Sequence, residues 1–261
     1  MKEFEGDSPF VRVRRRIIRI YKSIELMALQ KINSPFVRSS YGLKFTSNFD
    51  DATFGFYVKA SYGFFYWRRL QSINYEFSYL DIGANQGLYA IGAALNPNLV
   101  KSYAFEPVSA VAALLERNVS LNDVATKCVV VQRAVSDTCG FAKIFLRDNH
   151  SGGATIVQGR PGKFNSTEEI ETIDASALIK IVEQDNLPLV VKIDVEGHEE
   201  VVIRELFKCD FSKQICEIFY EEDGRNVNSH SIQNFLKGFG FELTKVGRGS
   251  HSDMLAERIK H

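Results

Sequence analysis

From Phe77 onward, short apolar runs alternate with longer stretches in which apolar residues recur at three- and four-residue spacing. Short runs read as buried strands and the longer stretches as helices that cross back over them. The pattern therefore predicts βαβ units and a mostly parallel α/β sheet covered by helices on both faces. Strands are expected at Phe77 to Ile82, Lys101 to Phe105, Lys127 to Gln132, Leu189 to Asp194 and Ile215 to Phe219. Helices are expected at Leu88 to Asn96, Ser109 to Leu121, Ala175 to Gln184, Glu199 to Lys208 and His230 to Gly238. After the third strand, "GFAKIFLRD" alternates as a hairpin strand does, and "NHSGGAT" reads as a mobile glycine-rich loop. The final "GFELTKVGRGSHSDMLAERI" reads as two strands joined by a turn, an antiparallel pair closing the far edge of the sheet.

A length of 261 residues suits one such unit with an extension. We place the extension at residues 1–61 and the main domain at 62–261. Within the extension, Val11 to Ile32 reads as a basic helix, with Ile17, Ile20, Ile24 and Met27 in a stripe among Arg12, Arg14, Arg15, Arg16, Arg19 and Lys22. Such a helix either lies on a membrane or partner enzyme, or packs its stripe on the main domain and solvates its arginines. The aromatic-rich "ATFGFYVKASYGFFYWRRL" is expected to pack against the α/β unit that begins at Phe77.

With 45% hydrophobic and 25% charged residues and no apolar run of membrane-spanning length, the chain is expected to be soluble. Its formal net charge of +0 supplies no field to draw in nucleic acid, which is not an expected partner. Cys128, Cys139, Cys209 and Cys216 form no C-x-x-C pair or zinc spacing, and the arginines interrupt any secretory apolar run. A reduced, cytoplasmic setting is expected.

The stretch "YLDIGANQGLY" ends the first strand and opens the first helix. In a doubly wound sheet this turn lines the ligand crevice at the carboxyl ends of the strands. Its G-x-N-x-G spacing (Gly83, Asn85, Gly87) lacks the G-x-G-x-x-G fingerprint for a pyrophosphate, and Asp81 would crowd a diphosphate. A ligand carrying an ammonium and a sulfonium would be attracted instead, as S-adenosylmethionine would be. Glu106, closing the second strand in "AFEP", stands where an acid accepts ribose hydroxyls in many nucleoside sites.

"DIGANQGLYA", "FEPVSAVAALLERNVSLN" and "KIDVEGHEEVVI" resemble the three signature blocks of the FkbM-type methyltransferases, and the resemblance runs from about Phe77 to Arg258. It implies a class I methyltransferase (Rossmann-like) fold with a seven-stranded sheet, S-adenosylmethionine as cofactor, and transfer to a hydroxyl of a sugar, glycan or related natural product. Onto this sequence it carries Asp81, Gly83, Ala84, Asn85, Gly87, Tyr89, Glu106 and Pro107 as cofactor-binding residues. Ser109 and Glu205 depart from the family, which tends to have proline and glycine there.

At the end of the fourth strand, "LVVKIDVEGHEE" puts Lys192, Asp194 and Glu196 on one face, because strand side chains alternate. Methyl transfer to oxygen is an in-line displacement in which the protein aligns the acceptor and removes its proton. Asp194 is the first candidate for that base, Glu196 the second and His198 the third. Lys192, Glu217 and Glu221 are candidates for gripping acceptor hydroxyls. Asp194, Glu196 and Glu217 are also oxygen donors of the kind magnesium takes, and the residues leave that open, so no metal is assigned. Two other functions compete: a nicotinamide-dependent oxidoreductase, disfavoured by the missing glycine fingerprint, and a catalytically idle scaffold of the same fold that recruits a membrane or partner enzyme.

Overall fold

The computed structural model describes residues 9–160, 162–183, 185–223, 229–247 and 251–259. Seven strands form the central sheet: β3 (Phe77–Ile82), β4 (Leu99–Phe105), β5 (Cys128–Val131), β9 (Leu189–Ile193), β10 (Ile215–Asp223), β11 (Phe241–Val246) and β12 (His251–Arg258). Their order is β11-β12-β10-β9-β3-β4-β5. The order reverses between β3 and β9, which pair in parallel, so the crevice for a ligand opens above their carboxyl ends. β12 runs antiparallel to both β10 and β11, as the C-terminal pattern predicts; its turn at 248–250 lies outside the described residues.

Side-chain alternation along β3 divides the core into two layers. Phe77 and Tyr79 join one cluster with α2 (Ala52–Val58), α3 (Phe64–Gln71), α4 (Leu88–Ala94) and α5 (Ser109–Leu121). Leu80 and Ile82 join the other with α6 (Ala175–Ile181), α7 (Glu199–Leu206) and α8 (Ser229–Gly238). Beside the main sheet, β8 (Ser166–Ile173) pairs with β6 (Ala134–Val135) and β7 (Gly140–Leu146) in a small second sheet. Sequence periodicity does not reveal β8, because only Ile170, Thr172 and Ile173 of its residues are buried.

The aromatic segment packs as expected. Tyr66 stacks on Phe219 with ring centroids 4.0 Å apart and planes 6° from parallel. The segment before it, placed in the extension, also enters this core: Val37 of β1 (Phe36–Arg38), Phe45 of β2 (Lys44–Thr46), and Phe54, Tyr57 and Val58 of α2 are all buried. Asn118 of α5 and Asn122, which follows that helix, hold β2 by accepting from the backbone N–H groups of Thr46 and Lys44.

The basic helix forms as α1 (Pro9–Lys31), but its apolar stripe does not pack on the domain. Arg19 and Lys22 donate to the carbonyls of Ala60 and Arg38, and Leu26 and Leu29 pack on the core. That face lies opposite Ile17, Ile20, Ile24 and Met27, which are all exposed.

Candidate functional site

The turn after β3 is built to bring three chain segments together. Gly83 and Ala84 donate their N–H groups to the carbonyl of Phe105, which ties the turn to the end of β4. Gly83 has φ +81°, and a Cβ there would overlap the carbonyl oxygen of Asp194. Only glycine lets the turn and the end of β9 approach so closely. Gly87 (φ 92°) starts α4, where a Cβ would collide with Leu115 of α5.

Glu106 is buried, and its two oxygens accept from the N–H groups of Asn85 (2.9 Å) and Val108 (3.0 Å). Burial pushes its carboxyl up to about 7, against those two N–H donors, which pull it down. Each oxygen retains a lone pair beyond these bonds.

Beneath the turn, Asp81 lies opposite Lys192 in the β3–β9 register, on one face of the sheet. The Lys192 ammonium sits 3.4 Å from Asp81 Oδ1, 3.5 Å from Asp194 Oδ2 and 5.2 Å from the centre of the Tyr89 ring. Burial alone would lower the Lys192 pKa, but the two carboxylates outweigh it and raise it, keeping the charge.

Strand β9 ends at Ile193, and Glu196 takes φ 56°, so the alternation read from the sequence stops before it. The turn is closed by Glu199, whose carboxylate accepts from the N–H groups of Val195 and Gly197. It leaves one oxygen each of Asp194, Glu196 and Glu221 within 4.8 Å of one another. Burial and the neighbouring carboxylates push Glu196 up to about 7 and Glu221 up to about 9. The cluster therefore holds protons at neutral pH, and its hard oxygens are also of the type that ligates a divalent cation. Arg160 pairs with Glu196 at 2.8 Å, and the Tyr62 hydroxyl donates to Asp194 Oδ2 at 3.4 Å.

Gly83, Asn85, Glu106, Asp194 and Glu196 line a cavity, partly open to solvent, above the carboxyl ends of β3, β4 and β9. Its wall is apolar at Ile82, Phe105, Val135, Ile144 and Ile156. The loop expected to be mobile forms one side and is tied down: Ser151 donates its N–H to Asp51 Oδ1 (2.7 Å) and its hydroxyl to Asp51 Oδ2 (2.9 Å). Asp51 also accepts from Gln86 of the glycine turn and from the N–H of Phe54, capping α2.

Of the expected cofactor residues, Gly83, Asn85, Glu106 and Pro107 line this cavity. Asp81, Ala84, Gly87 and Tyr89 do not. Asp81 is fully buried against Lys192, and Tyr89 is buried with its ring under the same ammonium, so both act behind the turn rather than at its surface. Asp194, Glu196 and His198 all line the cavity; His198 Nε2 lies 3.1 Å from Ser136 Oγ, and burial lowers its pKa. Two acceptor-binding expectations are corrected. Lys192 is committed to the buried ion pairs, with 3% of its surface exposed. Glu217 lies near the start of β10, which runs on to Asp223, and is buried where Arg69 of α3 grips it at 2.7 and 2.9 Å. Glu221, two residues from the strand's end, is the one that reaches the acid cluster. Tyr57, Ser151, Gly152 and Thr155 line the cavity without having been expected there.

The Methyltransferase FkbM domain matches residues 81–243, a span that takes in the glycine turn, Glu106 and the acid cluster. The chain belongs to the FkbM methyltransferase family. It is a methyltransferase with the class I α/β fold, and it uses S-adenosylmethionine. The nicotinamide alternative and the idle scaffold are thereby set aside. No curated protein matches this FkbM methyltransferase. Among solved structures it is similar to a putative rRNA methylase from Clostridium thermocellum, with 10% identity over 75% of this chain and 94% of that one, at a TM-score of 0.48. It is also similar to TrmK of M. capricolum, solved with S-adenosyl-homocysteine, with 9% identity over 76% of this chain and 69% of that one, TM-score 0.45. A third is Streptococcus pneumoniae Sp1610, a putative tRNA (m1A22) methyltransferase solved with S-adenosyl-L-methionine: 14% identity, 75% and 74% coverage, TM-score 0.44.

Proposed function

We propose that this FkbM methyltransferase transfers a methyl group to a hydroxyl of a sugar, glycan or related small hydroxylated molecule. The observation that carries the reading is the cluster that Asp194 and Glu196, which line the cavity, form with Glu221. Carboxylates accept hydrogen bonds from hydroxyls, and protonated ones donate in return, so a mixed cluster suits a polyhydroxylated acceptor.

The cavity residues fit the donor. The lone pair left on each Glu106 oxygen suits two adjacent ribose hydroxyls, and the apolar wall of Ile82, Phe105 and Val135 suits a purine ring. When bound, the donor supplies a methyl group on a sulfonium leaving group. Asp194 then orients the acceptor hydroxyl and takes its proton as the new carbon–oxygen bond forms. Lys192 and the Tyr62 hydroxyl hold the Asp194 carboxylate in place, and Arg160 does the same for Glu196.

Methyl-labelled donor incubated with a panel of mono- and oligosaccharides and small polyols, with products read by mass spectrometry, tests the reading. Transfer to a hydroxyl is expected, and Asp194→Asn should slow single-turnover transfer by roughly 10²- to 10⁴-fold while leaving donor affinity near wild type. Transfer to nitrogen or carbon acceptors alone, or a full rate in Asp194→Asn, would overturn it.

A further inference from the structure

The outward stripe of α1 is the largest feature the site leaves unexplained. Val13, Ile17, Ile20, Tyr21, Ile24 and Met27 are each more than half exposed, with Ile17 at 61% and Ile24 at 59%. At 100° per residue they fall on one face of a helix of 23 residues, about 34 Å long. The opposite face is the one held to the domain, through Arg19, Lys22, Leu26 and Leu29. The helix is thus seated with its apolar side out. No helix among the described residues is long and apolar enough to cross a membrane.

Charge decides what covers the stripe. Pro9–Lys31 contains Arg12, Arg14, Arg15, Arg16, Arg19, Lys22 and Lys31 against Glu25, a formal 7 − 1 = +6, whereas the whole chain sums to +0 and the remainder therefore to −6. A second copy pairing through the stripe would bring two +6 segments together, with one acid on each to relieve them. An anionic lipid surface would instead attract the helix and repel the rest of the chain, setting the helix flat with the domain held above it.

We infer that α1 docks this methyltransferase on an anionic membrane surface, with Ile17, Ile20, Ile24 and Met27 inserted at the headgroup boundary and Arg16, exposed beside them, on a lipid phosphate. Apolar insertion and charge act together, so both are required.

Co-sedimentation of the full-length protein with phosphatidylcholine vesicles, with and without phosphatidylserine, tests this. Each surface cation contributes about fivefold to partitioning, so phosphatidylserine should raise binding at least tenfold, and high salt should remove the gain. Ile17→Glu/Ile24→Glu should lose at least tenfold in vesicle binding while keeping the wild-type melting temperature, since both side chains lie outside the core. Equal binding to the two vesicle types, no binding to either, or wild-type binding by the double variant would overturn the inference. So would a dimer in analytical ultracentrifugation that the double variant abolishes, because the stripe would then be covered by a second copy.

Discussion

Replacing Lys192 by methionine removes the cation between Asp81 and Asp194 while keeping an unbranched side chain of similar length. Asp81 is fully buried, and burial raises its pKa against Lys192, the first of the groups that favour its charged form. Breaking a buried pair by deleting one partner typically costs about 3–5 kcal/mol. A second route gives a similar figure. The stranded carboxyl can escape by taking a proton, which at pH 7 costs at most about 1.36 kcal/mol for each of the roughly 3 pH units above its unfolded pKa, or up to about 4 kcal/mol, because burial already raises the wild-type pKa. The second route also predicts a pH signature. Burial already raises the native pKa of Asp81 in the wild type, and losing Lys192 raises it further, so the variant's native state holds the extra proton to higher pH. The loss of stability is then small near pH 4 and grows as pH rises towards 7. In a chain of this size about 4 kcal/mol corresponds to a drop in melting temperature of roughly 8–16 °C. Urea denaturation of wild type and Lys192→Met at several pH values is the assay. A deficit below about 1 kcal/mol at pH 7, or one that does not change with pH, would refute the ion-pair account.

Asp51→Ala removes a helix cap together with the acceptor for Ser151 and Gln86, and should cost about 2–3 kcal/mol. Hydrogen exchange should then quicken at Ser151 to Thr155; unchanged protection there would show that the loop is held by something else. Deleting residues 1–31, by contrast, should leave donor affinity within about twofold, because no cavity residue lies in that segment. Glu221 has a folded pKa raised to about 9 from 4.5, so wild-type stability falls as pH rises through that window. Glu221→Gln cannot ionise, and its melting temperature should increasingly exceed that of wild type from about pH 5 to about pH 9; a constant difference between the two would contradict the raised pKa.

The central strands were legible because each carries a short, largely apolar run; β3, buried at every position, begins and ends where the sequence predicts. β8 was not, because its solvated positions, Glu168, Glu169 and Glu171 among them, leave it no such run. Within the site, the turn residues Gly83 and Asn85 and the strand-end acids Glu106 and Asp194 could be located from the βαβ pattern, which fixes where strands end. Register was harder. Alternation put Lys192 and Asp194 on one face correctly, but that Asp81 faces Lys192 from the neighbouring strand depends on pairing, which local pattern does not contain. The same holds for Glu217, which became internal because β10 continues past Phe219. Tyr57, Tyr62 and Ser151 reach the site from segments far away in sequence, through a fold whose packing no local period encodes. The stripe on α1 was legible as a stripe, but not which way it faced.

The central claim is that the cavity over β3, β4 and β9 holds the methyl donor, with Glu106 as its principal charged contact. Calorimetric titration of S-adenosylhomocysteine into wild type and Glu106→Ala tests it most directly. The account predicts one site per chain in the wild type, and a loss of about tenfold to a hundredfold in the variant, the worth of a charge-assisted hydrogen-bonded carboxylate, with the fold intact by circular dichroism. Equal affinity in the two proteins, or no binding by a folded wild type, would contradict it.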